Sequence, residues 1–235
     1  MDERDISVEK KWSYEKSAQK AIASLEKHNM SGYWADDKHA ARTRVLEMVP
    51  EGLTVGFGDS VTLSQIGIAA ALLKRGANKI FNPFALDEEG HWIMPKGPGA
   101  FVDAMRNALN ADVFLSGSNA LTLDGKLVNV DGIGNRVAGL IFGGRKVIVV
   151  VGANKIVKNV EEALERIRNV AAPINAKRHH LRHLYPELPC VKTGQCSDCN
   201  HDMRICCSTV IIEHQMCLEP ERRMNVVIVG EDLGI

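Results

Sequence analysis

The segment from Ala111 to Asn154 constrains the fold more than any other part of this 235-residue chain. Two short apolar runs in it, Asp112 to Leu115 and Val147 to Val151, are too brief for helices and too continuously apolar to have one solvent-facing side. Strands that are buried on both faces of an α/β sheet have this composition. Between the two runs, the pair Asp124-Gly125 separates two further short apolar stretches, which predicts a β-hairpin with a two-residue type I′ turn.

Helix and strand patterns alternate along the rest of the chain. Further strands are predicted at residues 53–57, 78–81 and 225–229, and helices at residues 63–74, 101–109, 133–142 and about 160–171, the last ending before Pro173. This alternation is typical of parallel βαβ units, so the predicted fold class is α/β, with a parallel or mixed sheet flanked by helices. The predicted organisation is a pair of packing helices in residues 1–50, an α/β core at 51–175, a cysteine-rich metal-binding insertion at 176–222 and the final strand of the core sheet at 223–235.

Composition and charge exclude several classes of function. Lysine plus arginine and aspartate plus glutamate number 29 each, so the chain lacks the positive field that favours nucleic-acid binding. No apolar run approaches the roughly 20 residues that span a bilayer, and the N-terminal residues lack the apolar segment of a secretory signal. We therefore expect a soluble cytoplasmic protein with neither a nucleic-acid nor a membrane partner.

A glycine-containing loop follows the predicted strand at residues 53–57. Gly56 and Gly58 allow close approach of a ligand, and the hydroxyls of Ser60 and Thr62 are available to bind it. Thr62 and Gln65 have the spacing of a capping box at the start of the next helix. The loop lacks the third glycine of a dinucleotide fingerprint and the lysine of a phosphate-binding Walker loop. It predicts either a site for a carboxylate, phosphate or pantetheine-type group or a turn that binds nothing.

A second polar loop follows the strand at residues 112–115, and a third precedes the helix at residues 133–142. Open α/β sheets bind ligands beyond the carboxyl ends of their strands, so we expect these loops to join the first in one anion pocket. The alternative is that Gly132 and Gly134 shape a turn and Asp131 caps the helix. The predicted ligand-binding residues are Gly56, Gly58, Asp59, Ser60, Thr62, Ser116, Gly117, Asn119, Asn129, Asp131, Gly132, Asn135 and Arg136.

All six cysteines lie between Cys190 and Cys217, a clustering that indicates metal or redox chemistry in a chain without an export signal. The spacing C-x5-C-x2-C-x6-C-C contains one C-x2-C pair and is closer to ferredoxin-type iron–sulfur spacing than to structural zinc sites. A 4Fe-4S cluster is therefore the predicted cofactor, with zinc as the alternative and reduced thiols or a disulfide switch as a third. The predicted ligands are Cys190, Cys196, Cys199 and Cys206, with Cys207 as an alternative to Cys206.

Three stretches of the chain resemble a known family. The string G-x-G-x-S-x-T-L at Gly56–Leu63, the stretch ADVFLSGSNALT and the later VIVVVGANKIV resemble the LUD domain of lactate utilization proteins, over about residues 13–175 and the last strand. The resemblance implies the fold of sugar isomerases, ribose-5-phosphate isomerase and CoA transferases (the NagB/RpiA/CoA transferase-like fold). It also implies a role in lactate or organic-acid utilization, with this chain as one subunit of an iron–sulfur oxidoreductase that has iron–sulfur or flavin redox partner subunits. The implied ligand at the glycine loops is an anionic small molecule, either an organic acid, a sugar phosphate or a CoA ester. Assembly into a homo-oligomer is a further expectation.

A second resemblance provides an alternative function. Gly117 to Ala120, Asp124-Gly125 and Asn129 resemble a block of the methylthioribose-phosphate isomerases, but Asn119 stands where that family has its acidic aspartate. An amide does not shuttle protons as a carboxyl group does, so this chain lacks the acid/base residue that an isomerase of this type needs. A sugar-phosphate isomerase or CoA-ester enzyme with a structural metal remains the alternative, as does a non-catalytic metabolite or redox sensor.

Two further groups are weaker candidates. A CoA transferase needs a carboxylate nucleophile, for which Glu88 and Glu89 are the nearest acids. His179 and His183 are four residues apart, a spacing that can chelate a metal on a helix, although a solvated basic helix end or an anion-binding surface also fits the surrounding sequence.

Overall fold

The computed structural model describes residues 3–183, 185–218 and 220–235. The strands are β1 (Ser31–Ala35), β2 (Thr54–Phe57), β3 (Lys79–Phe81), β4 (Val113–Gly117), β5 (Ala120–Thr122), β6 (Leu127–Asp131), β7 (Lys146–Gly152), β8 (Ile156–Val157), β9 (Ser208–Ile212) and β10 (Met224–Val229). The α-helices are α1 (Ser7–Lys27), α2 (Lys38–Met48), α3 (Val61–Ile66), α4 (Ile68–Arg75), α5 (Ala100–Leu109), α6 (Asn135–Phe142), α7 (Val160–Arg166), α8 (Ala172–Arg182) and α9 (Pro189–Thr193). A 3-10 turn covers Ala153–Lys155, and a π-helical turn covers Ile167–Ala171.

A parallel sheet with the strand order β1-β10-β7-β4-β2-β3 forms the centre of the fold. Its middle strands are almost wholly buried because helices cover both faces. On one face, side chains of α2, α3 and α4 pack against the sheet, among them Val45, Ile66 and Leu72. On the other face, α1 and α6 pack against it through residues such as Leu25 and Leu140. The predicted α/β class with a sheet flanked by helices is confirmed.

Strand β1 is an element that the sequence did not predict, because residues 1–50 were expected to contain only packing helices. It lies at the edge of the sheet and pairs in parallel with β10, with Gly32 opposite Val226. Only Ala35 of this strand is fully buried, so its sequence SGYWA lacks the continuous apolar run of a central strand.

A smaller sheet with the order β8-β5-β6-β9 lies beside the central one. The predicted hairpin is present as the antiparallel pair β5 and β6. The Thr122 N–H donates to the Lys126 carbonyl oxygen (2.9 Å), and the Gly125 N–H donates to the Thr122 carbonyl oxygen (2.9 Å). These bonds define a three-residue loop in which Gly125 has a positive φ of 81° and Asp124 does not. The two-residue type I′ turn was therefore wrong, since it needs positive φ at both positions.

Two predicted helices have different limits in the structure. The helix expected at residues 63–74 is divided at Gly67, which has a left-handed φ of 70° and ends α3. The helix expected to end before Pro173 instead continues through α7, the π-helical turn and α8 to Arg182. Proline lacks an N–H and its ring opposes a carbonyl of the preceding turn, and the wider π turn directly before Pro173 accommodates it.

The segment at residues 176–222 is partly built into the fold. Residue 176 lies inside α8, and β9 pairs antiparallel with β6, with Ser208 opposite Asp131. The cysteine-rich loops therefore lie between α8 and the smaller sheet. Among the helices within the described ranges, none combines the length and the apolar character needed to cross a membrane.

Candidate functional site

A cavity of about 760 Å³ lies at the carboxyl ends of β2 and β4, below α8. Here the glycine loop after β2 and the polar loop after β4 lie side by side, because β2 and β4 are neighbours in the sheet. The Gly58 N–H donates to the Leu115 carbonyl oxygen at 2.9 Å. A Cβ atom on Gly117 would lie 2.7 Å from the Ser60 hydroxyl, so any larger residue at this position would displace the Ser60 side chain.

Eight of the thirteen predicted ligand-binding residues line this cavity, and the other five line the adjoining cavity or are packed inside the protein. Those that line it are Asp59, Ser60, Gly117, Asn119, Asp131, Gly132, Asn135 and Arg136, and Gly58 lines the adjoining cavity. Gly56 packs against the backbone of Ala108 in α5, while Thr62, Ser116 and Asn129 are buried. Glu88 and Glu89 are exposed and line neither cavity, so they are solvated loop acids.

The helix caps differ from the predicted ones. The N-cap of α3 is Ser60, whose hydroxyl accepts a hydrogen bond from the Leu63 N–H at 3.3 Å, and not Thr62 of the expected capping box. Gly134 is the N-cap of α6, and the Asp131 carboxylate accepts a hydrogen bond from its N–H at 2.7 Å. Asp131 thus has the capping contact that the alternative interpretation gave it, in addition to lining the cavity.

Arg136 is buried beside the cavity with its guanidinium fully paired. Its Nε atom lies 3.2 Å from the Asp131 carboxylate. One terminal nitrogen donates to the Asn129 side-chain oxygen at 2.6 Å and to the Gly117 carbonyl oxygen at 3.3 Å. The other donates to the Asn119 side-chain oxygen at 3.1 Å and to the Val130 carbonyl oxygen at 2.8 Å. Arg136 therefore joins the loop after β4 to β6 and to the turn that precedes α6.

Lys155, in the 3-10 turn after β7, is a second buried cation in the cavity wall. Its Nζ atom donates to the Thr62 hydroxyl at 3.1 Å and to the Ser118 carbonyl oxygen at 3.4 Å. Within the described parts of the chain, no carboxylate forms an ion pair with it. Burial, together with the positive charges of Arg166 and Arg136, lowers the pKa of Lys155 to about 7.

Helix α8 contributes the roof of the cavity. Arg178 forms an ion pair with Asp59 of the first glycine loop. His179 lies 4.0 Å from the same carboxylate, and burial together with the Arg178 charge lowers the pKa of His179 to about 4. The end of this helix is therefore part of the cavity wall and not a solvated surface.

Aromatic rings close one side of the cavity. The His183 ring stacks on Trp92 with ring centres 3.6 Å apart and an angle of 11° between the planes. Trp92 also contacts Phe84 and His179, at centroid distances of 5.6 and 5.5 Å. Because His179 and His183 pack on aromatic rings, they act here as part of an apolar wall.

The cysteine-rich segment forms the remaining wall through residues 202–205 and Cys207. Arg204 connects this wall to the predicted C-x2-C pair, because it donates to the Cys199 carbonyl oxygen at 2.7 Å and to the Asp198 carboxylate at 3.1 Å. The Cys207 N–H donates to the Asp131 carbonyl oxygen at 2.9 Å. The loops that carry the cysteines are thus joined to the ligand loops.

The cysteines, all of which lie in described parts of the chain, are thiols. Burial, together with the Cys196 and Cys190 thiols, raises the pKa of Cys206 to about 11. Among the described residues, no three His, Cys, Asp or Glu side chains are arranged to hold a metal ion. The donor set is suited to iron–sulfur or zinc chemistry, but the sulfur atoms do not form a closed ligand shell.

Lys155 and Arg178 were missing from the predicted site. Lys155 follows directly after a buried strand, in the sequence Gly152-Ala153-Asn154-Lys155, and this position at the carboxyl edge of the sheet was the available signal. Arg178 was missed because the helix was expected to end before Pro173, which would have separated it from the sheet.

Comparisons with known proteins identify the family. Residues 18–229 match the LUD domain family. A DUF162 family protein from Deinococcus radiodurans is 15% identical with a TM-score of 0.47, over 93% of this chain and 98% of that one. Ribose 5-phosphate isomerase A from Neisseria gonorrhoeae is 15% identical with a TM-score of 0.33, over 52% of this chain and 54% of that one. No curated protein matches the sequence. Because the family match covers most of the chain, this protein belongs to the LUD domain family.

Proposed function

We propose that this LUD-domain protein binds an anionic small molecule of organic-acid metabolism in the cavity at the carboxyl ends of β2 and β4. The observation that carries the proposal is the buried Lys155 ammonium group. It has a hydroxyl and a carbonyl oxygen as partners but no carboxylate among the described residues. Burial of an unpaired charge is costly, so a ligand that supplies the opposite charge at this position accounts for its retention.

The charges around Lys155 favour the same type of ligand. Two of the three aspartates that line the cavity are already paired, Asp59 with Arg178 and Asp131 with Arg136. The cationic side chains that line it are Arg136, Lys155, Arg178, Arg182 and Arg204. A carboxylate or phosphate group that enters the cavity therefore meets more positive than negative side chains.

The isomerase alternative gains little support from this geometry. The Asn119 side-chain oxygen accepts hydrogen bonds from the Val130 N–H at 2.9 Å and from Arg136 at 3.1 Å. Its amide is thus part of the scaffold around Arg136, and an amide carries no proton that it can donate to a substrate near neutral pH.

Calorimetric titration with L-lactate and with inorganic phosphate tests the proposal. We expect at least one of these anions to bind, and Lys155→Met to weaken that binding more than about tenfold, because a charged hydrogen bond is lost. Lys74→Met is the matched control, since Lys74 is exposed on α4 and lines neither cavity. Equal affinities of the wild type and Lys155→Met would contradict the proposal.

We also propose that Cys190, Cys196, Cys199 and Cys206 hold a metal centre. The observation that favours it is the spacing of the four cysteines within residues 190–206, in loops that Arg204 connects to the cavity wall. A 4Fe-4S cluster would supply one-electron transfer to redox partner subunits, whereas zinc would supply folding free energy. The two metals differ in their visible absorption.

Anaerobic purification followed by metal analysis and an absorption spectrum distinguishes these outcomes. We expect iron with visible absorption for a cluster and zinc without it for a structural site. Cys199→Ser is expected to lose the metal, while Cys217→Ser, outside the proposed ligand set, retains it. A wild-type protein that contains neither metal after reconstitution would exclude the proposed centre.

A further inference from the structure

A second cavity, of about 1020 Å³, adjoins the proposed anion pocket. Residues of α4 and of α8 line it. Leu73 of α4 and Leu181 of α8 both line it, and they are 67% and 68% exposed. Ile174 of α8 and Leu86 of the loop after β3 are further exposed apolar residues in its lining. Exposed apolar side chains that line one cavity indicate a binding groove.

The two cavities adjoin each other and share part of their lining. The residues that line both of them are Asp59, Ser60, Val61, Phe84, Trp92, Arg178, Arg182, His183 and Ile235. The Asp59–Arg178 ion pair and the Trp92–His183 stack are therefore at the junction. Lys155 lines the anion pocket and not the second cavity, whereas Leu73 and Leu181 line the second cavity and not the anion pocket.

The volume of the combined cleft exceeds what a small acid needs. Pockets of about 300–1,000 Å³ hold drug-sized ligands, and the anion pocket alone has a volume of about 760 Å³. A three-carbon acid beside Lys155 would leave most of this space and all of the second cavity to water. The combined volume, with Lys155 in one cavity and exposed leucines in the other, fits a longer molecule that has one charged end.

We propose that the ligand is an amphiphilic anion, with a carboxylate or phosphate head beside Lys155 and an unbranched apolar arm between Leu73 and Leu181. The inference rests on the proposed function, because it assigns the head group to the anion pocket. It commits to the ligand's own arm as the occupant of the second cavity, since the two cavities adjoin each other and share nine lining residues.

Titration with straight-chain carboxylates tests this assignment. For acetate, butyrate, hexanoate and octanoate, we expect the affinity to rise by about threefold with each added methylene as apolar surface is buried. Leu73→Asn and Leu181→Asn are expected to flatten this rise and to leave acetate binding unchanged. These leucines are largely exposed, so the variants fold normally. Leu218→Asn is the matched control, because Leu218 is exposed and lines neither cavity.

The outcomes separate this inference from the proposed function. If acetate and octanoate bind equally well, the apolar arm is excluded and the anion site remains. If octanoate binds more tightly but the two asparagine variants do not change this, the second cavity is not its site. If the variants change only the oligomeric state in size-exclusion chromatography, the groove is covered by a second copy of the chain. If no carboxylate binds, and L-lactate and phosphate do not bind either, both proposals fail.

Discussion

Two buried cations at the same edge of the sheet are held in opposite ways. Arg136 is 8% exposed, and its guanidinium donates to or pairs with oxygen atoms of Asp131, Asn129, Asn119 and the backbone. Lys155 is 5% exposed and has two neutral oxygen partners. The sequence gives no hint of this difference, because both residues follow an apolar strand within a few positions.

The difference separates a structural charge from one that is available to a ligand. The planar guanidinium of arginine matches several acceptors at once, which suits Arg136 to joining two loops. A lysine ammonium is a compact charge whose pKa shifts readily when it is buried, which suits Lys155 to meeting an incoming anion. Perturbed charges inside cavities are found preferentially at functional sites.

The largest expected effect concerns Arg136. Arg136→Met leaves the Asp131 carboxylate without its buried partner and removes donors from Asn119 and Asn129. We expect the free energy of unfolding to fall by about 3–5 kcal/mol, as for other broken buried ion pairs. Urea denaturation measures this, with Arg145→Met as the exposed control. A loss below about 1 kcal/mol would mean that Arg136 is not structural.

Lys155→Met is expected to have the opposite effect on stability. The pKa of Lys155 in the folded state is about 7, well below the ordinary lysine value of 10.5. As the pH falls from 10.5 to 7, the unfolded chain takes up the proton and the folded protein does not, so stability is lost. The loss is complete at pH values below 7. Removal of this lysine is expected to raise the free energy of unfolding at pH 7 by about 1–3 kcal/mol, after allowance for the Thr62 hydroxyl left without a donor. The measurement is urea denaturation at pH 7. A destabilised variant would place Lys155 with Arg136 as a structural residue.

The central strands of the fold could be predicted because each consists of consecutive apolar residues, which indicates burial on both faces. The runs at β4, β7 and β10 are apolar on both faces, and the structure buries them on both. Strand β1 is an edge strand with one fully buried residue, so its local sequence does not distinguish it from a loop. The hairpin was predictable from Asp124-Gly125, but the backbone angle of Asp124, which decides the turn type, was not.

The site was predictable where it consists of loops directly after strands, and not where distant segments complete it. Gly58, Ser60 and Gly117 have the residue types that such loops require. Arg178 reaches Asp59 only because the helix continues through Pro173, and local rules place a helix end before a proline.

The third prediction uses the same lysine as a titrating group. A bound carboxylate favours the charged form of Lys155, so binding takes up a proton once the pH exceeds the pKa of about 7 in the free protein. We expect the association constant for L-lactate to be constant below about pH 6 and to fall by about tenfold or more between pH 7 and pH 8.5. Lys155→Arg, whose charge does not titrate in this range, is expected to remove the dependence. A flat profile for the wild type would show that Lys155 does not contact the anion.

The smallest expected effect concerns His179, a third buried basic group, which stays neutral in the folded protein near neutral pH. Its pKa of about 4 lies below the ordinary histidine value of 6.5, because burial and Arg178 disfavour protonation more than Asp59 favours it. Above pH 6.5 the shift has no effect on stability, since the group is neutral in both states. As the pH falls from 6.5 towards 4, the unfolded chain takes up the proton first, and stability is lost. When the pH is lowered from 7 to 5.5, we expect the free energy of unfolding of His179→Phe to fall by about 1 kcal/mol less than that of the wild type, as measured by urea denaturation. His39→Phe is the control at an exposed histidine, and we expect it to behave as the wild type. Parallel losses in all three proteins would mean that His179 is protonated as readily in the folded state as in the unfolded chain, and that its contacts with Trp92 and Asp59 leave it open to water.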